Sequence, residues 1–185
     1  MPADLPADLS AKDFTIRPLG IADRAAFRAL RQRALTTDPY SFLMTRAEED
    51  AVPRLMLENL LEQPDPANCL LGAERGQDLL GILGLANRKL IKINHVSHIV
   101  SVYVAPEARG RGIARALLAA AIERAFACAH IGAINLDVVA GQQAERLYRG
   151  AGFVEFGREP DAHRLAGKNF DLILMRLARP MPSAS

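Results

Sequence analysis

The sequence predicts an α/β protein with a mixed, mostly antiparallel central sheet and helices on both faces. Three observations predict it. Strand-length apolar or alternating segments recur along the chain, segments with helical periodicity separate some of them, and short turns join others. The expected order is β-α-α-β-β-β-α-β-α-β-β, antiparallel early and βαβ-like late. Since no repeat or linker interrupts this order, we expect one domain over residues 13–177, with loose termini at 1–12 and 178–185.

The first part of the chain predicts one strand and two helices. An alternating segment forms a strand that ends at Pro18, and apolar residues at helical spacing predict a helix over 21–35. A second helix is predicted over 46–62. Pro53 would interrupt its interior, so the regular part is expected to begin near Asp50, with Pro53 in its first turn.

The rest of the chain predicts six strands and two helices. Two apolar runs flank Arg75–Asp78 as in a hairpin. A helix over 112–129, a strand over 134–139, a short helix in AERLYRGAG and strands in FVEFG and NFDLILMRL follow. Before them, residues 95–104 alternate as a strand. One face carries Val96, His98, Val100, Val102 and Val104, and the other His95, Ser97, Ile99, Ser101 and Tyr103.

Composition excludes several classes of protein. The 185 residues are 50% hydrophobic and 24% charged, as in globular domains, and the net charge of +2 is too small to indicate a nucleic-acid or polyanionic-membrane partner. No apolar run approaches the ~18 residues of a membrane span, and the first residues lack the features of a secretory signal. The two cysteines and four histidines have no metal-ligand spacing, and the small apolar surroundings of Cys69 and Cys128 predict two buried, reduced thiols. We therefore expect a cytoplasmic protein without a metal, nucleic-acid or membrane partner.

The segment with the clearest chemistry is a glycine-rich loop between a strand and a helix. Gly110 and Gly112 leave room for backbone N–H groups to face a ligand closely. The free N–H groups and dipole of the helix start, with the charges of Arg109 and Arg111, favour an anion such as a diphosphate.

Two nucleotide-binding motifs fit this loop less well. A nucleotide P-loop ends in GK[ST], which Gly-Ile-Ala-Arg does not match. A dinucleotide fingerprint counted from Gly110 places Arg115 where a small residue is needed. Asp137, 25 residues after Gly112, could still imitate the ribose-binding acid, so that alternative stays open.

The loop resembles the acetyl-CoA loop of the GNAT superfamily of N-acetyltransferases, whose motif reads Q/R-x-x-G-x-G/A. Here Arg109-Gly110-Arg111-Gly112-Ile113-Ala114 follows Val102-Tyr103-Val104-Ala105-Pro106. A second segment, from Ala144 through Leu147-Tyr148 to Gly152-Phe153, is similar to the family's A-x-x-L-Y-x-x-x-G-F. The predicted order of elements also agrees with that fold from about residue 13 to 177.

The resemblance implies direct acetyl transfer from acetyl-CoA to an amine, without a covalent enzyme intermediate. It places the diphosphate on the loop and the pantetheine arm along the strand before it. The expected cofactor-binding residues are Val102, Tyr103, Val104, Arg109, Gly110, Arg111, Gly112, Ile113 and Ala114. The Val104 N–H would polarise the thioester carbonyl, and Tyr148 would act as general acid, since a phenol keeps its proton at neutral pH.

The group that takes the amine's proton is less well defined. His95 and His98 lie on or just before the strand that leads to the loop, and imidazole suits a base near neutral pH. His95 is a candidate base or proton relay because it shares a face with Ser101 and Tyr103, whereas His98 shares one with four valines. A water chain to solvent would serve equally well, and Glu107 is expected on the loop surface.

The chain departs from the family at two positions. Gly141 stands where relatives often have an asparagine that contacts the cofactor arm, and the aromatic-x-D-E pattern near the end lacks its glutamate after Asp171. Acceptor selection in this fold usually comes from the segment that corresponds to Arg28–Asp50. Its residues Tyr40, Phe42 and Met44 indicate a partly apolar lining, and Glu48, Glu49 and Asp50 either attract a cation or form a solvated helix start.

These observations predict an acetyltransferase that acts on a primary amine of a small molecule, peptide or protein. The alternative is a non-catalytic acyl-CoA-binding module, which the two departures favour and Tyr148 disfavours. A nicotinamide- or flavin-dependent enzyme ranks third because of Arg115. The resemblance also makes a homodimer, through an edge strand or a helix, one of the expected assemblies.

Overall fold

The centre of the protein is a seven-stranded sheet, which a computed structural model describes with its helices over residues 13–62 and 64–180. The strands are β1 (Thr15–Pro18), β2 (Cys69–Arg75), β3 (Asp78–Asn87), β4 (Val96–Val104), β5 (Ala133–Val139), β6 (Val154–Leu165) and β7 (Lys168–Ala178). The helices are α1 (Arg24–Thr37), α2 (Arg46–Asp50), α3 (Asn59–Glu62), α4 (Ile113–Ala127) and α5 (Gln143–Gly150). Within the described ranges, none of these helices is long and apolar enough to cross a membrane.

The strands lie in the order β1-β2-β3-β4-β5-β7-β6. β4 and β5 pair in parallel, and every other neighbouring pair of these strands is antiparallel. A parallel pair needs a long crossover, which α4 supplies between β4 and β5. The predicted mixed, mostly antiparallel fold is therefore confirmed, and its parallel pair is the βαβ unit that contains the glycine-rich loop.

Helices cover both faces of the sheet. α1 and α4 each pack on β3 and β4 but make few contacts with each other, so they lie on opposite sides. β3 agrees with this arrangement because Leu80–Leu85 are buried without interruption, as expected for a strand covered on both faces.

The predicted second helix is wrong in its middle. α2 ends at Asp50, the chain passes Pro53 without helical structure, and a 3-10 turn at Met56–Glu58 leads into the single turn of α3. Proline has no N–H to donate and disfavours helical geometry at the residue before it. Pro53 therefore separates two short helices instead of lying in the first turn of one.

β4 contains a bulge that breaks the predicted alternation. Tyr103 pairs with Ile82 and Val100 with Gly84, so Ser101 and Val102 both lie opposite Leu83 of β3. Ser101 has φ 55°, a left-handed backbone that non-glycine residues rarely adopt. Because of the extra residue, side chains after the bulge point to the opposite face of the sheet from the one that strict alternation predicts. The predicted face assignment is therefore wrong beyond Val100.

The C-terminal end is more ordered than predicted. β7 continues to Ala178, and the backbone N–H of Arg179 donates to the Gly132 carbonyl. The Arg179 guanidinium donates to the carbonyls of Phe126, Cys128 and Ile131, at and after the end of α4. Residues 178 and 179 are thus tied to the fold, while the predicted loose segments 1–12 and 181–185 lie outside the described residues.

Candidate active site

The site begins at a gap in the sheet between β4 and β5. These strands pair over only three positions, from Val96 with Ala133 to His98 with Asn135. Beyond them β4 stays paired with β3 as far as Val104, and β5 stays paired with β7 as far as Val139. The two strands therefore separate, which leaves the β5-facing edge of Val102–Val104 without a strand partner.

The backbone of Val104 faces this gap. The N–H of Ala105 donates to the Leu80 carbonyl over 2.9 Å, so it points toward β3. Peptide groups in a strand alternate in direction, so the N–H and C=O of Val104 point the opposite way. The Val104 carbonyl accepts a hydrogen bond from Arg109 Nε at 3.0 Å. The N–H of Val104 is thus a hydrogen-bond donor directed at the gap.

The glycine-rich loop forms the end of the gap at the start of α4. Gly110 and Gly112 both have φ 77°, which glycine adopts at little cost, and neither has an atom within 4 Å of the position that a Cβ would occupy. Within the described residues, the N–H groups of Gly110–Arg115 donate to no protein acceptor, and Gly112 makes no side-chain cap. These free donors and the positive end of the α4 dipole form an anion site.

The gap and the loop open into one cleft with a volume of about 680 Å³. It contains eight of the nine predicted cofactor-binding residues: Val102, Tyr103, Val104, Arg109, Gly110, Gly112, Ile113 and Ala114. Arg111 is outside this lining. The lining residues that the sequence analysis did not assign are Asp38, Ser41, Ala108, Arg115, Gln142, Gln143, Ala144, Arg146 and Leu147.

The cationic charge of the cleft does not come from the arginines predicted to supply it. The Arg109 guanidinium pairs with Asp38 at 2.5 Å and lies over the Tyr103 ring, 5.8 Å from its centroid. Arg111 lies 3.5 Å from Asp13. Arg115 and Arg146 line the cleft with exposed side chains and form no ion pair with any acidic residue of the described ranges. In the sequence, only their position on the two predicted helices that flank the gap indicates that they could line the cleft.

Tyr148 lies on α5, the helix that closes the other side of the cleft. Ala144 and Leu147 of this helix line the cleft, whereas Tyr148 is outside the lining and its ring packs against Phe153 with centroids 6.1 Å apart. The residue is 5% exposed. Burial raises the pKa of the phenol well above its ordinary value because the phenolate would lose its hydration. Tyr148 therefore keeps its proton at any physiological pH.

The structure does not bring His95 to these groups. His95 lies in the turn before β4 with an exposed side chain. Nine residues of extended strand separate it from Val104, about 30 Å at 3.3 Å per residue. The predicted shared face with Tyr103 is also lost at the bulge. His98 is half-buried near the same end of the strand, and burial lowers its pKa.

The predicted acceptor segment divides into lining and supporting residues. Phe42 lines the cleft beside Tyr103, with centroids 6.5 Å apart, whereas Tyr40 packs on Phe170 and Met44 is outside the lining. The acidic run is a helix start, exposed at Glu48 and Asp50 as one of the two readings predicted, and only Glu49 departs from that reading because it is buried. Glu48 caps α2 with Thr45, Glu49 pairs with Arg31 at 2.9 Å in a buried contact, and Asp50 pairs with Arg46.

The arrangement fits an elongated ligand with an anionic group on the loop and an extended arm along β4. It does not fit a dinucleotide. A doubly wound dinucleotide fold has a mostly parallel sheet, whereas this sheet has one parallel pair among the strands described. Asp137, the candidate ribose acid, is exposed on β5 and is not part of the cleft lining.

Comparison with known families decides which ligand this is. Residues 26–153 match the model of the acetyltransferase (GNAT) family, which spans both the loop and α5. The chain belongs to the GNAT acetyltransferase family. Its members use acetyl-CoA, and the free loop donors and the unpaired edge of β4 described above fit that co-substrate.

Solved structures support the same assignment. Ribosomal-protein-alanine N-acetyltransferase from Brucella melitensis is 28% identical, with a TM-score of 0.71 over 89% of this chain and 99% of that one. The Salmonella typhimurium protein yncA, solved with its cofactor acetyl-CoA, is 21% identical, with a TM-score of 0.74 over 93% and 97%. A GNAT acetyltransferase from Streptococcus pneumoniae is 23% identical, with a TM-score of 0.73 over 90% and 99%. The second and third likenesses concern the fold.

Proposed function

We propose that this GNAT acetyltransferase transfers the acetyl group of acetyl-CoA to a primary amine of a small molecule, peptide or protein, by direct attack in a ternary complex. The observation that carries the proposal is the Val104 N–H, which is directed into the gap between β4 and β5 next to the free N–H groups of the loop. Acetyl-CoA supplies an activated acyl group as a thioester.

Backbone groups of the protein would bind acetyl-CoA and polarise its thioester carbonyl. The N–H groups of Gly110–Ala114 would hold the diphosphate, and Arg115 and Arg146 would add charge beside it. Val102–Val104 would pair with the extended arm as a neighbouring strand does. The Val104 N–H would donate to the acyl oxygen as negative charge develops there, which is the role of an oxyanion hole.

Two proton transfers complete the reaction. The Tyr148 hydroxyl would protonate the departing sulfur, and burial keeps that hydroxyl in its acid form. The amine must lose a proton before it attacks, because an ammonium has no lone pair. With His95 at the far end of β4, we assign this proton to water that leads from the cleft to solvent.

The alternative is a non-catalytic acyl-CoA-binding module. Gly141, exposed before α5, gives this alternative its support because it provides no side chain for the cofactor arm. Gln142 and Gln143 line the cleft at the same turn and supply amide groups that can replace that contact. The 28% identical Brucella melitensis enzyme, named for a ribosomal-protein alanine, favours catalysis and places α-amino groups among the acceptors to test.

Two measurements test the proposal. Thermal unfolding is followed with acetyl-CoA, CoA, NAD and ATP in turn, and only the CoA species should raise the melting temperature in a saturable way. Release of free CoA is then followed over polyamines, amino acids, aminoglycosides and short peptides, including peptides that begin with alanine. Saturable binding without CoA release above background from any acceptor would establish the binding module instead.

The proposal extends to assembly and location, as a homodimer in the cytoplasm. Support for the homodimer comes from β6, which lies at the edge of the sheet and exposes Val154 and Phe156 at 67% and 53%. Sedimentation velocity at two protein concentrations should give a dimer mass, and Phe156→Asp should shift it to a monomer. A monomer mass for the unchanged protein at both concentrations would refute the dimer.

A further inference from the structure

The acceptor end of the cleft contains a carboxylate that the mechanism above does not use. Asp38 directly follows α1 and lines the cleft beside Ser41 and Phe42. Over residues 13–62 and 64–180, it is the only acidic side chain in that lining; the other charged lining residues are Arg109, Arg115 and Arg146. A single carboxylate in an otherwise cationic cleft indicates a separate subsite.

One guanidinium connects this carboxylate to the reacting position. Arg109 Nε donates to the Val104 carbonyl at 3.0 Å, and Arg109 Nη2 donates to Asp38 Oδ2 at 2.5 Å. Thr37 Oγ1 lies 3.2 Å from the same carboxylate oxygen and 2.9 Å from the Tyr103 hydroxyl. Oδ2 is therefore held from two sides, one side chain away from the strand residue that would polarise the acyl group.

The other carboxylate oxygen is available to a ligand. Oδ1 accepts no hydrogen bond from a described residue, and the Asp38 side chain is 31% exposed. Phe42 and Tyr103 line the same cleft with ring centroids 6.5 Å apart. Arg31 lies over one face of the Phe42 ring and Arg109 over one face of the Tyr103 ring, so a ligand can use only the parts of the rings that these guanidinium groups leave uncovered. A carboxylate oxygen next to aromatic rings suits a cation that carries an apolar group.

We propose that Asp38 binds the acceptor as an ammonium through Oδ1, and that the acceptor is a cationic amine with an apolar group and no carboxylate next to the nitrogen. This inference rests on the proposed function. A free α-amino acid would bring its own carboxylate against Asp38, and like charges at that distance repel. After the ammonium gives one proton to water, Asp38 accepts a hydrogen bond from a remaining N–H and keeps the nitrogen near the acyl group.

The test uses 2-phenylethylamine and phenylalanine, which differ by the carboxylate next to the nitrogen. Their dissociation constants are measured by saturation-transfer NMR on the CoA-loaded protein, so no turnover is needed. Phenylalanine should bind at least tenfold more weakly than 2-phenylethylamine. Asp38→Asn should weaken 2-phenylethylamine at least tenfold and change the affinity for acetyl-CoA less than threefold, and Asp38→Glu should restore part of the loss.

The matched control is Glu107→Gln. Arg33 donates to Glu107 through Nη1 and Nη2 at 2.6 and 2.5 Å, and this pair also joins α1 to the segment after β4 but lies outside the cleft lining. The Glu107→Gln protein should bind both probes as the unchanged protein does. An equal loss in both variants would overturn the assignment, because joining the two segments would then be what matters.

Each of the remaining outcomes overturns either the assignment of Asp38 or the proposed function. Unchanged binding of 2-phenylethylamine in Asp38→Asn overturns the proposal, as does equal or tighter binding of phenylalanine by the unchanged protein. If the unchanged protein binds acetyl-CoA but neither probe, the acceptor class is wrong while the cofactor assignment stands. If it does not bind acetyl-CoA, the proposed function fails first.

Discussion

At neutral pH the phenol of Tyr148 holds its proton by a wide margin, because burial of the ring raises its pKa. A free tyrosine would lose half of its acid form near pH 10. The buried residue keeps the acid form beyond that pH, so it can protonate a leaving sulfur throughout the range in which enzymes are assayed.

Replacing Tyr148 with phenylalanine should therefore lower kcat by about 10²–10⁴-fold, the usual contribution of a general acid. The phenylalanine ring preserves the packing against Phe153, so acetyl-CoA affinity should stay the same. For the unchanged protein, kcat should not decline between pH 8 and 10 through loss of this proton. Steady-state kinetics across that range, with Tyr40→Phe as control, checks both points; an unchanged kcat in Tyr148→Phe would remove the acid role.

His98 gives a prediction about stability instead of catalysis. Burial lowers its pKa, nearby Arg88 and Arg176 lower it further, and Asp137 raises it. As the pH drops through about 6.5, His98 therefore binds a proton in the unfolded chain but not yet in the folded protein. The free energy of unfolding should fall as the pH drops through that value.

The measurement is urea unfolding at pH 7.5, 6.5 and 5.5. His98→Gln should flatten the part of the pH dependence that lies above the titration of the carboxylates. His130→Gln, at an exposed histidine, should leave the dependence as it is. A slope that persists unchanged in His98→Gln would assign the effect to other groups.

At the scale of elements, the glycine-rich loop depends on backbone geometry that its motif already indicates. Gly110 and Gly112 both adopt φ 77° at the start of α4, and a strand, a glycine pair and a helix in this order were enough to predict it. The loop is the part of the site that the sequence predicts best, because its conformation is decided by adjacent residues.

Gly112→Ala should separate ligand binding from stability when compared with Gly76→Ala in the β2–β3 turn. Both glycines have positive φ, 77° and 60°, and open space at the Cβ position. Each change should cost about 1–2 kcal/mol of unfolding free energy through the left-handed backbone. Only Gly112→Ala should also weaken acetyl-CoA, by at least tenfold, as measured by calorimetry. Equal affinities in the two variants would argue against close approach of the diphosphate at Gly112.

Other elements depend on distant contacts, and the sequence predicts them less well. The bulge at Ser101 carries no glycine to indicate it, and it is supported by Arg31 of α1, whose Nη1 donates to Ser101 Oγ at 3.1 Å. That contact joins residues 70 positions apart. Arg109 and Asp38 are 71 positions apart, so the sequence does not reveal their ion pair and the charge of Arg109 is predicted to be free for a ligand.

At the scale of the whole molecule, one continuous hydrophobic core joins α1 and α4 to β2, β3, β4, β5 and β7, and β6 is attached through its pairing with β7. We expect this part of the chain to unfold as one cooperative unit. Far-UV circular dichroism and calorimetry should give the same midpoint, with the calorimetric enthalpy equal to the van't Hoff enthalpy. Two resolved transitions would show instead that the β6–β7 hairpin melts separately.

The overall fold was predictable because periodicity and turns determine the order of elements, and the parallel pair follows from the long helix between β4 and β5. The cleft was predictable only in part. Asp38 reaches it from just after α1, Arg115 from α4 and Arg146 from α5, and nothing local marks these residues as neighbours. Long-range arrangement of charged side chains is set by packing, which single-sequence patterns do not contain.

The short contact between β4 and β5 also has a mechanical consequence. Only three residue pairs of backbone pairing join the half-sheet β1–β4 to the half-sheet β5–β7, and beyond them the two half-sheets diverge. An extended ligand arm bound between the separated ends of β4 and β5 would add the missing hydrogen bonds and stiffen the junction of the two half-sheets. Amide protons of Val102 and Val104 should then exchange with deuterium more slowly once the coenzyme is in place, while those of the distant β6–β7 turn keep their rates.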